Sequence, residues 1–490
     1  MTSPSGGAVA LPADVPPDDT AFQVEQRGID YIPEAHRWAR PRDLFGLWAG
    51  ASVQFEYLVY GVVLMTFGFT FGQAVLLTLA GNLSYLLLGV FSLQGPEAGT
   101  TVFTINRASF GPHGSRLIAL FNWLTMVGFE TEGLVLVVFG GVALAVKAGY
   151  HPGTPLKVVL IVAAAAVQGV LPFLGYATVV KVLRWLVAPF VALYVVLAVL
   201  TLGRANAGSV HHGADWQTMM GGLAFTIALA GLGWLESGND YSRYLPPTAS
   251  RKGIVGWVFL GTAVPQTVLM LLGAAVATYV RIDSKDPFVS FPHAFSGWFL
   301  VPFFVVAIVQ LFAINSMDLY SSGVTLQALG LPIKRWNAVL VDTVIGCGVT
   351  AYAVFSAGFS TLLSDFVAAV IAWIAPWSAI FLTDWVLRRT RYAPLELQRT
   401  DRGGLYWRHG GIHWPAIVAQ VLGTVASVLA FNQTFYAGPI ARAFGGGGAD
   451  FSVFTGPVVA AVVYLVLAGA GVRREAEMQD RLREGGDPRL

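Results

Sequence analysis

Twelve apolar runs of about 20 residues recur along the chain, and this recurrence constrains its fold more than any other feature, because some twenty residues of helix cross the hydrocarbon of a bilayer. The runs are Leu44–Thr66, Gln73–Leu93, Leu117–Val146, Leu156–Leu174, Val179–Leu202, Met219–Leu235, Ile254–Val280, Phe299–Leu326, Trp336–Ala357, Leu362–Leu387, Trp414–Ala430 and Val453–Ala470. Lipid offers no hydrogen-bond partners, so repeated runs of this length read as a bundle of transmembrane helices, spans 1 to 12. Composition agrees: 55% of the 490 residues are hydrophobic and 12% charged, where a soluble chain carries about a quarter charged. A net charge of +2 implies no nucleic-acid partner. The single cysteine, Cys347, excludes an internal disulfide. Residues 1–42 are expected to form a disordered N-terminal segment with no cleavable signal. Residues 43–472 form the membrane domain, and 473–490 a tail.

Charge on the connections sets the orientation. With the N-terminus in the cytoplasm, 24 of the 30 Lys and Arg residues fall on inside segments. The remaining 6 fall outside: Lys147, Lys157, Arg204, Arg281, Lys285 and Arg442. The expectation is a multi-pass protein of the plasma membrane with both termini cytoplasmic.

Two spans carry residues that a lipid-facing helix has no use for. Span 1 holds Gly50, Ser52, Gln54 and Glu56 at its centre, and span 6 holds Gly231, Gly233 and Glu236, followed by Asn239 and Asp240. Loosened backbone survives at membrane depth only inside protein or beside a water-filled cavity. One reading makes Gly231–Gly238 an unwound segment facing such a cavity; the other ends the span near Trp234 and leaves the carboxylates among the headgroups. Interrupted segments at matching places in spans 1–5 and 6–10 point to an inverted repeat with a binding site near the midplane, leaving spans 11 and 12 outside it.

Polar groups inside other spans suggest what such a site holds. Span 3 contains Phe129, Glu130 and Glu132. An aromatic face and a hydrogen-bonding edge suit a flat ring, although Phe129 serves equally as core. Residues two apart cannot share a helix face, so one of the two glutamates faces the cavity and the other needs a partner elsewhere. In span 8, Asn315 and Asp318 lie three apart on one face. They suit the donor and acceptor edges of a heterocycle, although Asn315 could also hydrogen-bond between helices. Gln54 and Trp234, at the two breaks, complete the expected substrate lining. No nucleophile motif, metal-ligand cluster or P-loop is present, and no cofactor is expected. The spacing of His409 and His413 and the pair His211-His212 read as loop.

Several stretches resemble the purine–cytosine permease branch of the nucleobase–cation symporter family. Asp240-Tyr241-Ser242-Arg243-Tyr244-Leu245-Pro246 with Ser250-Arg251 is similar to the signature after that family's sixth helix. Gly95-Pro96-Glu97-Ala98-Gly99 with Arg107 and Phe110-Gly111 resembles its hinge after span 2. Asn315-Ser316-Met317-Asp318-Leu319-Tyr320-Ser321 matches the family's span 8 motif, with Met317 for a proline and Asp318 for an asparagine. Asp384-Trp385 with Arg388-Arg389, Tyr406-Trp407-Arg408 and Gly411-Ile412-His413-Trp414-Pro415-Ala416 resemble the family's anchors around spans 10 and 11. Span 3 departs, with Phe129 where the family has tryptophan.

The resemblance implies an all-α, leucine-transporter-like fold: a 5+5 inverted repeat plus two C-terminal helices. It also implies uptake of a nucleobase driven by a cation gradient. Sodium-coupled relatives carry hydroxyls where this chain has Phe312 and Ala313, so the expected ion is H+, carried by Glu132, Asp318 or Glu56, since a buried carboxylate can bind a proton instead. The alternatives are a Na+-coupled importer of a related heterocycle such as allantoin or a hydantoin, and a polytopic sensor or enzyme.

Overall fold

The computed structural model describes residues 30–170, 176–206, 213–283, 285–330, 335–433, 436–444 and 448–484. Regular structure among them is helical, apart from one isolated bridge between Asn432 and Ala437. Among the described residues, nine helices are long and apolar enough to cross a membrane, and a bent pair in span 1 makes a tenth. Two shorter apolar helices, Thr154–Gly169 and Val187–Leu202, correspond to spans 4 and 5, so all twelve expected segments are present.

Span 1 is two helices, Pro41–Ser52 and Phe55–Met65, bent by 60°. Val53 and Gln54 leave helical geometry between them, Gln54 being extended with φ −117° and ψ 147°. The broken helix frees backbone groups, and span 8 satisfies them. The Gln310 Oε1 accepts from the Phe55 N–H at 3.0 Å, and its Nε2 donates to the Val53 carbonyl. Span 6 breaks at the matching place: helix Trp216–Leu229 ends at Ala230, a 3-10 turn covers Leu232–Ser237, and a short helix follows from Gly238 to Ser242. Glycine is required here, because a Cβ on Gly231 would overlap the Ser84 carbonyl of span 2. Its N–H donates to the Ser84 hydroxyl at 2.8 Å. The α-helix thus breaks at Ala230 and the chain continues as a tighter 3-10 turn through Leu232–Ser237, so the span is neither unwound through Gly231–Gly238 nor ended near Trp234.

Span 7, helix Arg251–Ala277, lies against both halves of span 1, and span 3, Gly114–Lys147, runs along span 8, Gly297–Ala328. Spans 3 and 8 occupy equivalent places in the two sets of five, as the two broken spans do. Span 11, Trp414–Leu429, packs on span 12, which packs on span 10, Phe359–Leu387.

Three expectations change, and one is filled in. Residues 1–29 lie outside the described residues, but the segment from 30 to 42 is packed, not disordered. Ile32 donates to the Gly99 carbonyl at 2.8 Å, and the buried Arg37 donates to the Ile32 carbonyl at 2.9 Å. At the other end, the helix of span 12 runs from Ser452 to Glu484, so the expected tail from 473 continues it. The connection after span 2, read as a hinge, holds a helix, Val102–Phe110, whose nine residues are all buried, with Arg107 donating to the Leu397 carbonyl at 2.9 Å. Of the residues read as interfacial anchors, Asp384, Arg388 and Arg408 instead join a largely buried ion network. Arg388 pairs with Asp384 at 2.7 Å and Glu475 at 3.1 Å, and Tyr464 donates to Asp384 at 2.7 Å. A buried ion cluster offsets its desolvation only when each charge is paired in this way. His413 faces the Ser109 carbonyl at 2.7 Å, and His211-His212 lies outside the described residues.

Candidate substrate and cation site

The two breaks bring polar side chains from spans 1, 3, 6 and 8 to the middle of the bundle. Gln54 caps the second half of span 1, and Glu56 and Tyr60 follow one turn apart on the same face. Glu56 is buried, and the carboxylates within electrostatic reach of it are Glu132 and Asp318. Glu132 is also buried; its Oε2 accepts from the Tyr60 hydroxyl at 3.1 Å, while Oε1 has no partner among the described residues. Three carboxylates from three spans therefore converge, with Tyr60 bridging spans 1 and 3. Glu236, in the 3-10 turn of span 6, is buried with Asp318 as a charged neighbour. An ionisable group at this depth is costly, and a cluster of them in a crevice is the usual mark of an ion pathway.

Aromatic rings flank the carboxylates. Phe129 packs edge-on to Phe366 with ring centroids 4.9 Å apart. The tip of its ring lies 3.3 Å from where a Cβ on Gly233 would stand, so span 3 presents this ring to the break of span 6. Trp234 is half-buried, donates to the Tyr57 hydroxyl at 3.0 Å and meets Trp48 edge-on at 5.7 Å. Tyr57 is in turn 3.3 Å from the Tyr85 hydroxyl, which donates to Gln266 of span 7. Trp234 is thereby held by its indole nitrogen and offers a fixed face.

The residues expected to bind a substrate divide into two groups. Phe129 and Trp234 lie at the break of span 6, and Glu132 meets Tyr60 of span 1 with Asp318, like the expected coupling residue Glu56, within electrostatic reach. Asn315 is turned toward spans 3 and 4: its amide nitrogen donates to the Glu130 carbonyl at 2.9 Å and to Gln168 Oε1 at 2.8 Å. A Cβ on Gly133 would overlap this amide, so the glycine makes room for it. Gln54 is almost fully buried and donates to the Ala51 carbonyl. The side chains of Met317, Tyr320 and Ser321 lie outside the described residues. Sequence reasoning missed Tyr60 and Gln310. The only signals were a tyrosine one turn beyond Glu56 and a lone glutamine in the apolar first half of span 8.

The chain is similar over residues 31–453 to a family described as permeases for cytosine/purines, uracil, thiamine and allantoin. It is 27% identical over 474 residues to YxlA of Bacillus subtilis, a purine–cytosine permease by name, covering 94% of this chain and 99% of that protein. It is 24% identical over 465 residues to the purine–cytosine permease fcyB of Emericella nidulans, covering 91% of this chain and 88% of that one. Among solved structures it is similar to Mhp1, a nucleobase-cation-symport-1 family transporter, in a closed conformation with bromovinylhydantoin bound. The TM-score is 0.70 at 18% identity, covering 92% of this chain and 99% of that one. The inward-facing conformation of Mhp1 matches with a TM-score of 0.71 at 19% identity, covering 92% and 96%. The fold is therefore the leucine-transporter-like one: ten helices in two inverted sets of five, with two more at the C-terminus.

Proposed function

The chain belongs to the family of permeases for cytosine/purines, uracil, thiamine and allantoin, and from that premise we propose that it imports a nucleobase, such as cytosine or a purine, in symport with H+. It is a multi-pass membrane transporter, not an enzyme. The observation that carries the proposal is the buried Glu132, held by Tyr60 at the break of span 1 with Glu56 and Asp318 in electrostatic reach, while Phe129 lies against the break of span 6. A planar heterocycle stacks on an aromatic face and donates ring N–H groups to a carboxylate edge. Glu132 Oε1 and Asp318 provide that edge, and Asn315 acts behind it by holding spans 3, 4 and 8 together.

The cation is assigned by oxygen chemistry. A Na+ ion takes its ligands from oxygens, and Phe312 and Ala313 offer no side-chain oxygen. The Val53 carbonyl at the break of span 1 accepts from the Gln310 amide N–H, which leaves it at most one lone pair for a cation. Carboxylates are what the site has in quantity, and a proton needs only one of them. Uptake in cells lacking their own permeases, with cytosine, uracil, adenine, hypoxanthine and allantoin in turn, identifies the substrate. Uptake of that compound should rise as external pH falls, collapse with a protonophore and ignore replacement of Na+ by choline. Loss of uptake on Na+ removal at constant pH would overturn the proton assignment in favour of a Na+-coupled importer.

The Lys and Arg bias, 24 residues against 6, supports an orientation with both termini in the cytoplasm, and the reading is a plasma-membrane importer. Reporter fusions after Arg40 and after Arg474 are both expected to read inside; an external reading for either would refute the even span count.

A further inference from the structure

The two glutamates of span 3 serve different places. Glu132 faces Tyr60, and Glu130 is turned away from it. Glu130 is fully buried, and neither of its carboxylate oxygens has a hydrogen-bond partner among the described residues. Other unpartnered polar atoms gather in the same seam between spans 3, 4, 8 and 9. They are Gln168 Nε2, Asn315 Oδ1 and the Thr343 hydroxyl, which stands 3.4 Å from where a Cβ on Gly169 would be. Asn315 joins this group together, since its Nδ2 reaches both the Glu130 carbonyl and Gln168. Buried polar groups are partnered in the great majority of cases. A concentration of unsatisfied ones at membrane depth therefore marks a place where water or a moving proton completes them.

The seam has a direction. Trp123 precedes Glu130 by seven residues, roughly 10 Å along the helix toward its Gly114 end. Its indole nitrogen donates to Asp342 Oδ1 of span 9 at 2.9 Å. Ser322, one turn beyond Asp318, donates to the other oxygen of Asp342. Farther along, Asn122 donates to the Thr325 hydroxyl at 3.2 Å. On the assigned orientation these rungs lead from the site toward the cytoplasm. The charged groups acting on Glu130 are Asp318 from span 8 and Asp342 from span 9. Span 4 presents Gln168, and span 10 presents the rings of Phe366 and Trp373 to span 3.

We propose that Glu130 and Asp342 form a proton-release path, separate from the substrate path, running from the Glu132–Asp318 site to the cytoplasm along spans 3, 8 and 9. The inference rests on the proton-symport reading. At each hop one O–H bond breaks on a protonated carboxyl and one forms on a carboxylate, so the donor is left ionised. The net change is one proton delivered to cytoplasmic water. Glu130 takes the proton from the site, and Asp342, held by Trp123 and Ser322, passes it on.

The test uses the full chain in proteoliposomes with a trapped pH dye, and cytosine or hypoxanthine as probe, whichever the uptake panel selects. Glu130→Gln and Asp342→Asn should keep counterflow exchange within about twofold, while substrate-driven acidification of the lumen falls about tenfold or more, because exchange needs no net proton release. Glu130→Asp, which keeps an ionisable group, should restore acidification. Wild-type acidification in both neutral variants would overturn the path. Parallel loss of counterflow and acidification in both would assign the pair a structural role and overturn it equally. No acidification by the wild-type protein would instead remove proton symport itself.

Discussion

Vesicles carrying Glu132→Gln are expected to equilibrate substrate without concentrating it, and to need about tenfold to a hundredfold more substrate for half-maximal exchange. Both effects follow from the position of one carboxylate. Glu132 Oε1 is the unpartnered acceptor at the break, while Oε2 is occupied by Tyr60. With its oxygen on Tyr60, the glutamine turns its NH2 toward the substrate and leaves a buried donor unpaired, which costs about 1–3 kcal/mol, and every 1.4 kcal/mol is about tenfold in affinity. The coupling loss is larger in consequence. A pH difference of one unit stores about 1.4 kcal/mol, enough for roughly tenfold accumulation, and a carrier that cannot take up the proton cannot draw on it. The glutamine still accepts from Tyr60, so the fold should survive. Tyr60→Phe, which removes one hydrogen bond and no carboxylate, should weaken binding only about fivefold and leave accumulation in place. Measuring accumulation ratio and exchange affinity for the two variants separates these roles; undiminished accumulation by Glu132→Gln would pass the proton role to Asp318 or Glu56.

Gly273→Val is expected to abolish uptake by preventing the bundle from closing. Span 7 crosses the second half of span 1 at backbone contact. A Cβ on Gly273 would overlap the Leu58 carbonyl, and one on Gly61 would overlap the Met270 carbonyl. Helices in lipid associate through close packing of small residues, since there is no water to expel between them. Overpacking a tight contact costs about 1–3 kcal/mol and sometimes more, and backbone oxygens cannot rotate aside as a side chain can. The half-helix Phe55–Met65 that would be displaced carries Glu56, Tyr57 and Tyr60, so a shift too small to unfold the protein would still misplace the site. Gly256→Ala, on the same helix with open space around it, is the control and should be neutral or slightly stabilising. The folded, monodisperse fraction in detergent measures the effect; a Gly273→Val protein that folds and transports normally would contradict the close crossing.

The twelve segments were legible in the sequence because length and apolarity are local properties, and the bilayer makes them decisive. Interruptions at matching places in spans 1 and 6 were legible as a pattern, since glycine, amide and carboxylate clusters do not suit a lipid-facing helix, but whether span 6 broke or simply ended near Trp234 stayed open until the structure. What the sequence alone determined, then, was a twelve-span bundle with two matched interruptions and an excess of intramembrane carboxylates. Which carboxylate does what was not determined there. Helical periodicity separates Glu130 from Glu132 but does not say which one meets Tyr60, because that depends on how span 3 is rotated against spans 1, 8 and 9. Asn315 shows the same limit. Three-residue spacing put it on a face with Asp318, yet its amide is held by the Glu130 carbonyl and Gln168, groups more than a hundred residues distant in sequence. The brace of the span 1 break by Gln310 and the meeting of Asp342 with Trp123 and Ser322 likewise join distant positions. Tertiary structure decided these, because a polar side chain buried in lipid must find its partner in whichever helix packing sets against it.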